Sequence, residues 1–546
     1  MSNASAKRPR ADAPTVVLHW LVFVTLLLSL GTGLRISADS EDAVLARALS
    51  PVLMQGDVHG LHLVSATALV FAAVAYVVYL WRAVLGSRVA LGAAGLRSRD
   101  RDTRWASVNR ILYWIAFALI IVAGVTGALL YFAPQLISSA AVLTVHLAAA
   151  WGIIAYVAVH VAAQAVIGGM HQLLKIFSPR VAYTGAGAIA MGVSLAAVAA
   201  ILSSNGHVTI QPLKLAATEQ SPLIDGDPGD AVWANAKPVS IHTTQGANVP
   251  GGEVSVRVRG VHDSDNAYLL FEWPDATRSQ KHLPLVKTDE GWKVMESKYG
   301  IQDEDGYYED KFGVMLARTS KIGGGATHMG PKPLDDKPGS PNKRGLHYTT
   351  DGGIVDVWHW KSVRTRVLGQ IDDNYFGPPM PAPNDTKARY TGGYTQDPDS
   401  GGGFDQNWTT IAGSKFVQPK RLPRDFAALQ ARMGNIALDP KAGDDGQWWL
   451  SLAETVPYAK QLDTYPVGTV IPSVLIDKPF EGDRGDITAK ASWKDGWWRL
   501  EVVRRLDTHS KYDVPIANGT HLWVAVFDHT QTRHTRHLHP VRIHLD

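Results

Sequence analysis

Five stretches of this 546-residue chain, 15–36, 57–82, 108–132, 141–167 and 182–203, are each apolar over more than twenty residues. No other feature limits the fold as strongly. A hydrocarbon core of about 30 Å takes about 20 apolar residues to cross as a helix. Only helices or closed barrels satisfy their backbone polar groups there. The first stretch follows "AKRPR" and resembles a signal peptide in outline, but its apolar run is too long for one, and His19-Trp20 interrupts its start. It reads as a retained helix. "KRPR" before the first stretch, "RAVLGSRVALGAAGLRSRDRDTR" between the second and third and "KIFSPR" between the fourth and fifth are basic. They all fall on one side, which the positive-inside rule makes cytoplasmic. The loops 36–56 and 133–140 then face outward, and the chain leaves the fifth helix on the outer side.

"VHLAAAWGIIAYVAVH" (145–160) places His146 and His160 fourteen residues apart in an otherwise apolar helix. Fourteen residues make almost four turns and rise about 21 Å, so both imidazoles leave one face at different depths. Ionisable groups inside a membrane span are costly and point to function. Matching histidines occur elsewhere: His19 at the cytoplasmic end of the first helix, and His59 and His62 at the outer end of the second. The depths pair His19 with His160, and His62 or His59 with His146. Two imidazoles at one depth are the axial set of a six-coordinate b-type haem. Two such pairs predict two haems stacked across the bilayer. His62 lies slightly deeper than His59, which could instead meet a propionate or a quinone. Gly33, fourteen residues after His19, would let a porphyrin approach the backbone.

A mean hydropathy of −0.03 hides two unlike halves. Residues 206–546 are polar, rich in Gly, Pro, Trp and Tyr. Runs such as "EVSVRVRGVHDSDNAYLLFEW" (253–273) and "WWRLEVVRRL" (497–506) alternate and are broken by turn residues, which predicts an antiparallel β-sandwich. Stretch 321–420 shows few clear strands and reads as long functional loops. The formal charge is +3 with no basic stripe, which speaks against nucleic acid. Cysteine is absent, which removes disulfides, iron–sulfur clusters and covalent haem attachment. "GGGATHMG" and "SGGGF" lack the Gly-Lys-Ser/Thr of a phosphate loop. The His-rich tail (529–544) has no carboxylates at ligand spacing; on a strand His537 and His539 would share a face and His534 would not. No internal repeat is evident.

The fold class expected is therefore multi-domain: an all-α transmembrane helical bundle, a four-helix di-haem core plus a fifth helix, followed by a mostly β periplasmic sandwich. The segments are 1–14 (cytoplasmic N-terminus), 15–180 (di-haem membrane domain), 181–205 (fifth helix), 206–221 (linker) and 222–546 (β domain).

"LHWLVFVTLLLSLGTG" (18–33), "HLVSATALV" (62–70) and the His-x13-His of the fourth helix resemble the bacterial cytochrome b561 family, relatives of the cytochrome b subunits of nickel-iron hydrogenases and formate dehydrogenases. The resemblance covers most of 15–178. It implies His19, His62, His146 and His160 as axial ligands, and exchange with quinone or quinol. "LIDGDPGDAVWANAKPVSI" (223–241), "DGYYEDKFGVMLAR" (305–318), "DVWHWKSVRTRVLGQIDDNYF" (356–376) and "WKDGWWRLEVVRRL" (493–506) resemble the haem-binding gamma subunit of ethylbenzene dehydrogenase. This likeness spans about 222–546, with 377–450 as an insertion. It implies a β-sandwich holding one b-type haem between a Met and a Lys. Met329 matches the Met, with His328 directly before it as a rival ligand; Lys490 lies in the matching late strand, and His359 and Lys361 of "WHWK" are alternatives. "VWHW" also reads simply as a strand with Trp358 and Trp360 in a core.

The expected function is electron transfer between the quinone pool and a periplasmic redox partner, a molybdenum enzyme or a cytochrome, at the bacterial inner membrane. Two membrane haems b and one periplasmic haem would serve it, more as a component of a respiratory oxidoreductase than as a stand-alone enzyme. Two other readings are a superoxide:quinone oxidoreductase, against which the acidic-leaning loop 36–56 argues, and a membrane-tethered carbohydrate-binding or sensor module.

Overall fold

A computed structural model of the chain describes residues 13–38, 43–49, 52–54, 58–91, 93–174, 192, 208–216, 219–296, 306–320, 327–328, 348–349, 352–378, 393–439 and 446–546. The chain divides into two compact units, Met1–Gly206 and His207–Asp546.

The first unit is built on four long helices: α1 (Ala13–Ser37), α2 (Val58–Arg82), α3 (Arg101–Phe132) and α4 (Ser139–Leu174). All four are long and apolar enough to cross a membrane. Val17, Leu27, Val74, Ile115, Val125 and Val159 stay exposed, so these helices are apolar all round, as lipid-facing helices are. α3 starts earlier than its apolar run, because Asp100 caps it: its carboxylate accepts the Thr103 N–H at 2.8 Å. The four helices meet at Leu26 of α1, Leu69 and Ala73 of α2, Ile120 of α3 and Ile153 of α4. Thr25, Thr32 and Thr126 return their hydroxyl hydrogens to the carbonyls of Leu21, Leu28 and Val122, which satisfies them without water. The expected fifth helix, 182–203, lies outside the described residues apart from residue 192.

The second unit is two packed sheets with smaller sheets beside them. Its principal strands are β1 (Val208–Ile210), β2 (Leu213–Lys214), β3 (Val239–Thr243), β4 (Val254–His262), β5 (Asn266–Pro274), β6 (Lys311–Ala317), β7 (Val355–Lys361), β8 (Asp372–Phe376), β9 (Tyr394–Gln396), β10 (Thr488–Lys494), β11 (Trp497–Arg505), β12 (His521–Phe527) and β13 (Val541–Ile543). One sheet runs β1-β13-β12-β6-β7-β8-β9. The other runs β2-β4-β5-β11-β10, with β3 also on β4. Every second residue points into the space between them. Phe312, Val314, Trp358, Trp360 and Val524 from the first sheet meet Val256, Phe271, Trp273, Trp498 and Leu500 from the second. Trp273 stacks on Phe312 at 4.5 Å, and Trp360 meets Trp498 edge-on at 4.9 Å, both favoured ring arrangements.

The expectation of few strands in 321–420 is corrected. β7, β8 and β9 fall there and supply the middle and one edge of the larger sheet. β7 buries Val355 and Val357 on its outer side as well, so its pattern is not a clean alternation. β8 reads "DDNYF", turn-like by composition, yet Asp372 is ion-paired by Lys361 and Arg484, which makes its burial tolerable. "SGGGF" is a close-contact turn: a Cβ on Gly403 would lie 1.9 Å from the Phe480 ring, and its φ is +89°.

Candidate haem sites

His62 of α2 and His146 of α4 face each other, with ring centroids 6.3 Å apart and planes at 78°. Each Nδ1 is tied to the neighbouring helix. His62 Nδ1 lies 3.1 Å from Thr32 Oγ1 and 3.1 Å from the Ser29 carbonyl of α1. His146 Nδ1 lies 3.0 Å from Thr126 Oγ1 and 3.1 Å from the Ala123 carbonyl of α3. Both threonines already donate to their own helix, and carbonyls only accept. The proton therefore sits on Nδ1, and Nε2 keeps its lone pair. Two imidazoles on one metal place their centroids roughly 6 Å apart, two bonds of about 2 Å plus the distance from each nitrogen to its ring centre. The pair fits the two axial positions of one haem iron. Gly33 and Gly127 complete the cradle: a Cβ would lie 3.2 Å from His62 Cε1 and 3.3 Å from His146 Cε1. The ring facing His146 is thus that of His62; His59 lies one turn nearer the start of α2.

The second couple is looser. His19 of α1 lies close enough to His160 of α4 for their charges to interact. His160 stacks on Tyr156 at 5.5 Å and lies 5.9 Å from Tyr113, and its buried Nδ1 has no hydrogen-bond partner among the described residues. The His160 ring thus lacks the Nδ1 anchor that fixes His62 and His146.

The symmetry of the first pair exposes a repeat that sequence reasoning missed. Leu18, Trp20, Phe23, Thr32 and Gly33 of α1 recur 94 residues later as Leu112, Trp114, Phe117, Thr126 and Gly127 of α3. His62-Leu63 recurs 84 residues later as His146-Leu147. In that frame His19 matches Tyr113, and His160 matches Tyr76. The paired "TG" dipeptides were the available signal; the unequal offsets concealed it.

In the second unit, Met329 lies outside the described residues. His328 forms a short strand, Thr327–His328, paired with Tyr348–Thr349. Trp358 and Trp360 are core residues. His359, between them, points the other way, onto the outer face of the larger sheet. Its Nδ1 lies 3.1 Å from the Tyr394 hydroxyl, its ring meets Phe527 edge-on at 5.9 Å, and Gly313 lies beneath it. Met315 shares this face. Burial, helped by Lys361 and Lys311, holds the His359 pKa well below its ordinary value, so the ring is neutral. Burial likewise brings Lys361 down to about 8, against the pull of Asp372. Lys490 is exposed on the face of β10 turned away from the core, opposite Glu501 in register. It shares no face with His359, so those two cannot flank one iron. The tail is not a strand before Val541. His537 accepts the Val524 N–H at Nε2 (2.9 Å), and His534 packs on Phe527 at 4.6 Å.

Two protein families match the chain: one described as ethylbenzene dehydrogenase, over residues 230–538, and one described as prokaryotic cytochrome b561, over residues 10–179. No curated protein sequence matches it. Among solved structures, a carbohydrate binding module family 9 from Caldicellulosiruptor kristjanssonii in complex with cellotriose is 11% identical, with TM-score 0.22, over 62% of this chain and 93% of that one. A protein from Bacteroides uniformis ATCC 8492, described as carbohydrate-binding, is 8% identical, with TM-score 0.25, over 62% of this chain and 100% of that one.

Proposed function

We propose, from the premise that the chain belongs to the ethylbenzene dehydrogenase family and joins to it a prokaryotic cytochrome b561 domain, that it moves electrons between a quinone in the bilayer and a redox protein outside the cytoplasm. The cytochrome b561 domain and the four apolar helices make it a multi-pass membrane cytochrome carrying b-type haem. The observation that carries the finer reading is the His62–His146 couple, two imidazoles at one level with both Nδ1 atoms anchored. These two would hold one haem, and His19 and His160 the other. Bound there, haem iron supplies one-electron redox chemistry, with potential set by its axial ligands and burial. Thr32 and Thr126 orient the imidazoles in the tautomer protonated at Nδ1, and an imidazole that ligates iron through Nε2 is neutral. Neutrality removes the cost of a charge in lipid. Arg88, Arg97 and Arg99 between α2 and α3, with Arg82 at the end of α2 and Arg101 and Arg104 at the start of α3, support a cytoplasmic position for that loop. A crossing at 182–203 would then carry the β unit to the periplasm. There His359, with Nδ1 held by Tyr394, is the residue to which we assign a third haem.

The test uses the full chain in nanodiscs under anaerobic conditions. Mixing with decylubiquinol should reduce the b-haem absorption bands, and His160→Ala should remove part of that change. Haem that quinol leaves oxidised but superoxide reduces would overturn the quinol reading and favour a superoxide:quinone oxidoreductase.

A further inference from the structure

Four aspartates converge inside the β unit, and the two that lie on strands point to the sheet face opposite His359. Asp356 of β7 and Asp373 of β8 come from neighbouring strands and point to the core side. Asp397 follows β9, and Asp513 lies between β11 and β12. Their exposures are 0, 0, 2 and 7%. One carboxylate oxygen from each of Asp356, Asp373 and Asp513 lies within 4.8 Å of the other two. Asp397 stands against Asp513 and Asp356, close enough for both to disfavour its own ionisation.

The protein's own donors reach only one oxygen of each of the first three. Arg504 Nη2 lies 3.2 Å from Asp356 Oδ2 and 2.8 Å from Asp513 Oδ2. The Val514 N–H also donates to Asp356 Oδ2, and Thr508 Oγ1 to Asp513 Oδ2. The Asn374 N–H donates to Asp373 Oδ1. Among the described residues no protein N–H or hydroxyl donor reaches Asp356 Oδ1, Asp373 Oδ2, Asp513 Oδ1 or either oxygen of Asp397, all of them buried. Folded proteins rarely leave buried carboxylate oxygens unmet, because the desolvation cost is not recovered. The other buried acidic group, Asp310 with Asp528 and His529, is different. Asp310 accepts from the Ser279 and His529 N–H groups at 2.6 and 3.1 Å and from Trp498 Nε1 at 3.3 Å, and Asp528 lies 2.5 Å from His529 Nδ1. Protein donors serve that group.

We propose that Asp356, Asp373, Asp397 and Asp513 bind a calcium ion. The donors are all carboxylate oxygens, with no imidazole or thiolate to favour zinc or a softer metal. Calcium accepts six to eight oxygens in flexible geometry, whereas magnesium demands a near-ideal octahedron and holds its water. Four carboxylates and Arg504 sum to −3, which a divalent cation brings to −1. The ion would join the middle of the larger sheet to the segment after β9 and to the β11–β12 connection. The rival state is protons shared among the acids: burial and mutual repulsion push Asp356 to about 7 and Asp397 to about 8, with Asp486 at the rim adding to the repulsion.

Tyr375 and Tyr512 provide the readout. They adjoin the site in sequence, and their rings lie 4.9 Å apart, placed to sensitise a bound lanthanide. Terbium titrated into the full-length, chelator-treated protein should give saturable tyrosine-excited emission, one ion per chain. Calcium should displace it, and equimolar magnesium should not. Asp373→Asn with Asp397→Asn should weaken binding at least tenfold, while Asp528→Asn should leave it unchanged. Absent emission, emission that calcium does not displace, or binding unchanged in the double variant would overturn the proposal. If the double variant fails to fold, the wild-type chain decides: its unfolding midpoint near pH 7.5 should rise with calcium over EDTA, and an unchanged midpoint refutes the site.

Discussion

Thr32 and Thr126 each serve two partners. The hydroxyl hydrogen goes back to its own helix, and the oxygen receives the Nδ1–H of a histidine on the next helix. Thr32→Val should retain haem, because the Ser29 carbonyl still orients His62. Its loss of one acceptor makes the imidazole a poorer donor to iron and should raise the midpoint potential by tens of millivolts in a redox titration. Gly127→Leu places a side chain where a Cβ alone already stands 3.3 Å from His146, so this variant should lose the haem that His62→Ala loses. His537 gives a pH prediction. Burial lowers its pKa to about 4 from the ordinary 6.5. The unfolded chain takes up a proton below about 6.5, and the folded one only near 4. Its contribution is therefore full above pH 6.5 and is lost as pH falls toward 4, amounting to about 1–3 kcal/mol. Thermal unfolding from pH 7 to 4.5 should show this slope, and His537→Ala should flatten it while destabilising the unit at pH 7, since the Val524 N–H loses its acceptor. Sequence reasoning placed His537 on a strand face. Its ring instead stands in for a strand carbonyl, a substitution that no alternation pattern reveals.

At the scale of elements, length and apolarity alone mark a membrane helix, which is why α1 to α4 were legible within a few residues at most ends. α3 was the exception, because its first turn is charged and only the Asp100 cap marks it. Strands are harder to read. β4, β5, β10 and β11 alternate and were visible. β8 was not, since its polar residues are made tolerable by Lys361 and Arg484, partners distant in sequence or on another strand. The Trp358–Trp360 pattern was readable as core, but the opposite side of β7, where His359 meets Tyr394 and Phe527, depends on strands that sequence does not bring together. Trp273 touches Phe312, Trp360 and Trp498 across both sheets. Trp273→Ala should cost about 3–5 kcal/mol in denaturant unfolding of the β unit.

At the scale of the whole molecule, two units of different chemistry share one chain, and each was legible by a different signal: histidines at matched depths for one, motif resemblance for the other. The ligand proposed for the β unit was less legible, because Lys490 and His359 are both near tryptophans in sequence and only the sheets separate their faces. A pyridine haemochrome assay should find three haems b per chain, and His359→Ala should lose one. The central claim is that His62 and His146 hold the same iron. The most direct test counts haem in His62→Ala, in His146→Ala and in the double variant. Each single change should remove one haem per chain, and the double no more than that. Full haem content in either single variant, or two haems lost in the double, would contradict the shared site.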